Sequence, residues 1–279
     1  MFIFKTHTEL LEWLQLEKDH QHTIGFVPTM GALHSGHISL LKKALEQTDK
    51  TLVSIFVNPK QFNNPIDFEK YPITITEDIA FLESAGCHAV YIPNVQDIYP
   101  EGLPNIDLNL GILNEVLEGP KRPGHFDGVV QVVHRFFSII QPNKVYLGLK
   151  DFQQCKVIEA LTKTYFPNIH LEFCATEREL TGLAKSSRNM RLSETGKATA
   201  SYIYQALQHI AHNYKKEDLN SAKRAALHFL NQHHIEVEYL ESANSDTLAL
   251  TSNWEEPNHN IVLLAAYLEN VRLIDNIQF

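Results

Sequence analysis

The chain has 279 residues, 44% of them hydrophobic and 20% charged, enough for one large domain or two modest ones with a sizeable core. Its formal net charge is −9, so it does not attract nucleic acid by bulk charge, and any anionic ligand must be held by locally placed donors. No stretch approaches the roughly 20 apolar residues that cross a bilayer, so no membrane association is expected.

The N-terminal stretch MFIFKTHTELLEWL lacks a charged segment followed by an apolar run and a small-residue cleavage site, and is not read as a signal peptide. Leu10, Leu11, Trp13 and Leu14 read instead as one face of an amphipathic helix. A buried strand is expected over Thr23–Val27 and another over Thr51–Val57. Between them Ile38, Leu40, Leu41, Ala44 and Leu45 give a helix with one apolar side. Ile75, Ile79, Leu82 and Ala85 repeat at helical spacing, with Gly86 as the C-cap. A short strand, Ala89–Ile92, follows. Val129 to Ile140 makes another helix face, stopped by Pro142. Lys144–Leu149 reads as a strand, Phe152–Lys163 as a helix and His170–Ala175 as a strand. This alternation predicts a mostly parallel sheet with helices on both faces.

Beyond about residue 181 the texture changes. Two long helices are expected, over roughly Glu194–Asn213 and Glu217–His233. A strand at Val237–Leu240 precedes a hairpin of Ile261–Tyr267 and Val271–Ile274 around Glu269-Asn270. The reading is a Rossmann-like domain over 1–180 and a smaller α+β domain over 181–279. Cys87, Cys155 and Cys174 form no CxxC pair or metal-like cluster, and read as buried thiols in a reducing cytoplasm.

The segment FVPTMGALHSGH, residues 26–37, sits where the first of these strands hands over to a helix. In open α/β sheets ligands lie beyond the carboxyl ends of strands, and a helix N-terminus offers unpaired N–H groups to phosphate. Gly31 and Gly36 let backbone approach a ligand closely. His34 and His37, three apart, share a face and can donate to phosphate oxygens; protonated, they would add charge against a developing negative charge. A zinc site is the rival reading, but two histidines with no third ligand nearby make a poor one.

The HSGH element resembles the HIGH signature of the nucleotidyltransferase superfamily, which also holds class I aminoacyl-tRNA synthetases. AKSSRNMRLS, with Lys185, Ser186, Ser187 and Arg188, stands where that superfamily has a KMSKS-type triphosphate grip. Five blocks narrow the resemblance to the pantothenate synthetase family: PTMGALHSGH (28–37), FVNPKQF (56–62), LEGPKRPGHFDGV (117–129), GLKDFQQ (148–154) and GLAKSSRN (182–189). They fall in the family's order.

The resemblance implies an ATP-dependent ligase. Pantoate carboxylate attacks the α-phosphate of ATP to give pantoyl adenylate and pyrophosphate; the amine of β-alanine then displaces AMP. Mg²⁺ accompanies ATP. It also implies a homodimer; the cysteine usage reads as cytoplasmic, and the KSSR block at the domain junction motivates a C-terminal domain that acts as a lid, excluding water from the acyl adenylate. By position, His34, His37, Lys150 and Arg188 are the catalytic candidates. Pro28, Thr29, Met30, Gly31, Gly36, Gly148, Leu149 and Asp151 join them around ATP, with Lys185, Ser186 and Ser187 on its triphosphate. Gln61, Gln154, Asn58 and His125 match the pantoate and β-alanine side, where Val132 and Val133 wall the gem-dimethyl group; Arg122 and Phe126 flank His125. Gln61 and Gln154 make chemical sense there, because neutral amides orient a nucleophilic carboxylate without blunting it as a bidentate arginine would. Cys155 has no assigned role.

Four positions depart from the family pattern: Ile73 replaces the arginine of YPR, Leu149 the acid of GEKD, and Thr181 and Lys185 the acid and methionine of DGLAMSSRN. Glu77 and Asp78 are the nearest acidic candidates for a metal-linked role, with no ligand set evident. Two other hypotheses are a nucleotidyltransferase of the same fold acting on a different acid, and a nucleotide-binding protein that has lost catalysis.

Overall fold

The computed structural model describes residues 1–279. In chain order its elements are β1 (Phe2–Phe4), α1 (His7–Asp19), β2 (Ile24–Thr29), α2 (Ser35–Gln47), β3 (Lys50–Ile55), α3 (Pro65–Glu69), α4 (Ile75–Ser84), β4 (Ala89–Tyr91) and α5 (Val95–Ile98). Then come α6 (Ile112–Glu115), α7 (Glu118–Lys121), α8 (His125–Ile140), β5 (Lys144–Gly148), α9 (Phe152–Tyr165) and β6 (His170–Cys174). The C-terminal elements are α10 (Glu194–His212), α11 (Leu219–Gln232), β7 (Glu236–Asn244), β8 (Asn260–Leu268) and β9 (Val271–Gln278).

Compactness divides the chain into two units. The first comprises Met1–Leu110, Arg122–Leu149 and Gln154–Ala175; the second comprises Gly111–Lys121, Lys150–Gln153 and Thr176–Phe279. Two short internal segments thus join the second unit, which a reading along the chain does not anticipate.

The first unit is built on a six-stranded sheet, order β1-β4-β3-β2-β5-β6, with every neighbouring pair parallel. Its central strands β2, β3 and β4 are buried along most of their length because both faces are covered there. Val27, Val53 and Val90 pack with Leu41 and Ala44 of α2 on one side. Phe136 of α8 meets Phe26 and Phe56 edge-on or tilted on the sheet. β1 is absent from the sequence reading: three residues of an edge strand carry no alternation that could reveal it. The helix that follows is as expected. Its capping box puts Thr6 Oγ1 on the Glu9 N–H and the Glu9 carboxylate on the Thr6 N–H.

The second unit carries an antiparallel sheet, β7-β8-β9, against α10 and α11. Ile203, Leu207, Leu230 and Leu264 lie in its core. β8 and β9 join through Glu269 and Asn270, both in the left-handed region at φ 51° and 60°, as a two-residue primed turn requires.

Candidate active site

The sheet order fixes where a ligand can sit. From β2 the chain steps through β3 to β4 in one direction, whereas β5 lies on the other side of β2 and leads on to β6. The switch point is therefore between β2 and β5, and crevices form beyond the carboxyl ends there. PTMGALHSGH leaves the end of β2, FVNPKQF the end of β3, and GLKDFQQ begins at the end of β5. Three of the five blocks thus emerge side by side from adjacent strands β3, β2 and β5.

The β2–α2 loop is held from below. Thr29 Oγ1 donates to the Ser54 carbonyl at 2.6 Å and accepts the Gly31 N–H at 3.2 Å. Gly31 has φ 81°, and a Cβ there would lie 2.9 Å from Ile55 Cγ2. Ala32 is also left-handed, at φ 48°. This backbone persists because Asp78 clamps it: Oδ2 accepts the Ala32 N–H at 2.9 Å, and Oδ1 accepts the Leu33 N–H at 2.8 Å and the Thr74 hydroxyl at 3.1 Å. Asp78 is almost fully buried, at 2% exposure. Its oxygens are engaged by the protein, so the metal-linked role considered for it gives way to loop support.

His34 caps α2, and the cap fixes the chemistry of both rings. His34 Nδ1 accepts the Gly36 N–H at 3.2 Å, and His37 Nδ1 accepts the His34 N–H at 3.3 Å. A ring nitrogen that accepts carries no proton, so each neutral imidazole holds its hydrogen on Nε2 and donates from there. The rings lie 4.1 Å apart between centroids at 37°. An imidazolium would set a second N–H against the backbone donor at each Nδ1, so this cap geometry favours neutral rings. Pro28, Met30 and Gly36 are half-buried around it.

On the β3 side the turn Pro59–Gln61 is capped by Asn58, whose Oδ1 accepts the Lys60 N–H at 3.2 Å. Asn58 Nδ2 donates to the Gly128 carbonyl at 3.0 Å, and the Tyr99 hydroxyl donates to Asn58 Oδ1 at 3.3 Å. Burial raises the Tyr99 pKa and keeps that phenol protonated. His125, also buried, has Nδ1 2.7 Å from the Gln61 carbonyl oxygen. A Cβ at Gly128 would lie 2.3 Å from the Lys60 carbonyl, so α8 and the turn meet backbone to backbone. Asn58 and His125, placed on the substrate side by sequence, also hold the turn that carries Gln61. The Gln61 amide approaches only the Met30 sulfur, at 2.7 Å, and joins the first two blocks. Val132 and Val133 are buried on α8. Gln154 is half-buried and makes no side-chain hydrogen bond within the protein, whereas its buried neighbour Cys155 points Sγ at the Gly148 carbonyl, 3.4 Å away.

The second unit holds the remaining cations. Arg178 makes a bidentate pair with Asp275, at 2.6 and 2.9 Å, donates to the carbonyls of Gly182 and Asn276, and lies 3.6 Å over the Tyr204 ring. The Arg178–Ala184 bridge and the Glu179–Leu183 bond make Thr181-Gly182 the tip of a small hairpin. Lys185 leaves that hairpin with Nζ 2.8 Å from Glu179 Oε2, so the cation added by this departure from the family pattern is already paired. Ser186 then caps the turn Ser187–Arg191 by accepting the Arg188 N–H at 3.3 Å. Asn276 donates from Nδ2 to the Lys150 carbonyl at 2.9 Å, and Lys150 Nζ is 3.5 Å from Asp151 Oδ1. One site on β9 therefore anchors both the Lys150 segment and the Lys185–Arg188 segment. Arg178, Asp275 and Asn276 escaped the sequence reading; the only signal was an Asp-Asn pair inside an apolar hairpin. Gln153 also has a role of its own: Nε2 donates to the Leu113 and Val116 carbonyls and Oε1 accepts the Glu118 N–H.

The site residues provide no metal cage. The only group of three or more His, Cys, Asp or Glu side chains close enough to hold a cation is Glu17, His20 and His22, outside all five blocks.

A family model described as pantoate-beta-alanine ligase matches residues 2–278. The chain is 48% identical to a pantothenate synthetase of Cytophaga hutchinsonii, covering 94% of this chain and 93% of that one. A pantothenate synthetase of Porphyromonas gingivalis is 41% identical, over 100% of this chain and 99% of its own. Among solved structures, pantothenate synthetase from Thermus thermophilus superposes with a TM-score of 0.93 at 34% identity, covering 100% and 99% of the two chains. Pantoate-beta-alanine ligase from Francisella tularensis, complexed with beta-gamma ATP and beta-alanine, gives 0.82 at 37% identity, covering 100% and 97%.

Proposed function

The chain belongs to the pantoate-beta-alanine ligase family and joins pantoate to β-alanine at the expense of ATP; from that premise we propose how its residues divide the work. In the first unit, neutral His34 and His37 donate from Nε2 to phosphate oxygens and oppose the charge that builds as a pantoate carboxylate oxygen bonds to the α-phosphorus and pyrophosphate leaves. Gln61 and Gln154 orient that carboxylate. Their amides are suited to it because Asn58 and Gln153, the neighbouring amides, are committed to backbone whereas these two are not. Uncharged donors hold the nucleophile without drawing off its electron density. Val132 and Val133 supply apolar surface for the gem-dimethyl group. In the second unit, Lys150 and Arg188, with Ser186 and Ser187, neutralise the β- and γ-phosphates until pyrophosphate departs. The amine of β-alanine then attacks the acyl carbon, the C–O bond to AMP breaks, and the amine gives up its proton as the amide forms.

Mg²⁺ belongs to this proposal as a passenger of ATP. With Asp78 clamped on the loop, the ion would be held mainly by ATP's phosphate oxygens and water and would supply charge neutralisation there. A homodimer rests on the family resemblance alone, and a cytoplasmic location on the reading of the three cysteines as free thiols.

The observation that carries the reading is the emergence of three blocks from adjacent strands at the switch point. Incubation with ATP and Mg²⁺ should give pyrophosphate only when pantoate is present, and pantothenate once β-alanine is added. Absence of pantoate-dependent pyrophosphate would refute the proposal, and a panel of other acids in the same assay tests the alternative substrate class.

A further inference from the structure

The one metal-capable cluster lies where α1 ends and β2 begins. The helix closes with a Schellman motif: Gln21 is left-handed at φ 59°, the His22 N–H donates to the Glu17 carbonyl at 3.0 Å, and the Gln21 N–H donates to the Lys18 carbonyl at 2.9 Å. The motif brings the third residue from the helix end against the second residue beyond it, a pair that is ordinarily apolar. Here that pair is Glu17 and His22, with the carboxylate Oε2 2.5 Å from the imidazole Nδ1. His20, the cap residue between them, has its ring tilted 40° to the His22 ring at a centroid distance of 5.5 Å. One ligating atom from each of the three residues lies within 4.8 Å of the other two.

Glu17 is buried, at 7% exposure, and its other oxygen is 3.6 Å from Lys50 Nζ, so the carboxylate is held rather than solvated. The C-terminal end of α1 adds partial negative charge from its last carbonyls, which favours a cation there. His20 is exposed and free to swing. Four ligands at about 2.0–2.1 Å around zinc stand roughly 3.4 Å apart, within a side-chain rotation of the spacing present.

We propose that Glu17, His20 and His22 form a binding site for a borderline divalent cation of the Zn²⁺ class, with water in the fourth position. Imidazole and carboxylate together favour Zn²⁺, Co²⁺ or Ni²⁺ over Mg²⁺, which wants oxygen ligands alone. On binding, the proton shared by Glu17 and His22 leaves to solvent and the metal takes its place. Lys50 stays on Glu17 Oε1. The site stands at the amino end of β2, whereas the reacting groups follow its carboxyl end. The ion therefore pins the end of α1 to the start of β2 and takes no part in the ligase reaction.

Cobalt(II) titrated into the metal-free full chain should give visible ligand-field bands that saturate at one ion per chain, and Zn²⁺ should raise the unfolding temperature. Glu17→Gln, and separately His20→Ala with His22→Ala, should abolish both responses and leave pantothenate formation with Mg²⁺ and ATP unchanged. Bands of native intensity in the double variant, or no bands in the native chain, overturn the proposal.

Discussion

The two roles proposed for His37 use two different atoms, so they can be separated. Its Nδ1 accepts the His34 N–H and closes the start of α2, while Nε2 is the atom proposed to donate to phosphate. In His37→Asn the carbonyl oxygen can stand where Nδ1 stood, but nothing reaches the position of Nε2. The urea midpoint should barely move, while kcat falls by about 10²–10³-fold, the usual cost of removing one preorganised donor to developing charge. Near-native turnover would remove His37 from the reaction. Asp78 allows a similar separation. Asp78→Asn sets an N–H₂ against one of the loop N–H groups that the carboxylate now accepts, which should cost about 1–3 kcal/mol in unfolding free energy. Activity should fall with it and stay low at any Mg²⁺ concentration, since the loss is one of loop geometry. Recovery in excess Mg²⁺ would return Asp78 to a metal role.

At the scale of elements, the Arg178–Asp275 pair fixes the second unit's segments that are proposed to hold phosphate. Asp275 is buried at 4% exposure, so Arg178→Met strands a carboxylate that two guanidinium bonds now hold. Removing one partner of a buried pair costs about 3–5 kcal/mol. Hydrogen exchange should show β9 and the 176–191 hairpin opening first, and an unaltered exchange pattern would mean the pair is not formed. This pair also shows where sequence reading stops. The β2–α2 loop was legible because strand, glycine turn and cap lie within a dozen residues, and local chemistry dictates them. The parallel sheet was legible because apolar runs alternated with helical periods. Arg178 and Asp275 are 97 residues apart, and Asn276 and Lys150 are 126 apart, so no local pattern joins them. The same holds for Asn58 and Gln61: both sit in one motif, yet only tertiary packing shows that the Asn58 amide is bonded to backbone whereas the Gln61 amide meets the Met30 sulfur.

Across the whole molecule, three imidazoles of the first unit, His7, His88 and His134, make stability fall just on the acid side of neutrality. Burial lowers the pKa of each below the ordinary 6.5; Arg135 adds to the effect at His7 and His134, and Lys50 at His88. His88 Nδ1 also accepts the Thr51 N–H at 3.1 Å, a bond that protonation there would break. The folded chain therefore takes up these protons later than the unfolded chain does. Stability is complete above about 6.5, the unfolded pKa, and drains away as pH falls through the folded values beneath it. Tryptophan reports this directly, because Trp13 lies in the first unit and Trp254 in the second. In a Trp254→Phe chain, the urea midpoint read from Trp13 fluorescence should be level from pH 8 to about 7 and decline by pH 5.5 with little change of slope. Replacing His88 with Asn keeps an acceptor for Thr51 but removes the titration, so it should make that decline shallower. A decline as steep in His88→Asn as in its parent would assign the acid sensitivity to other groups.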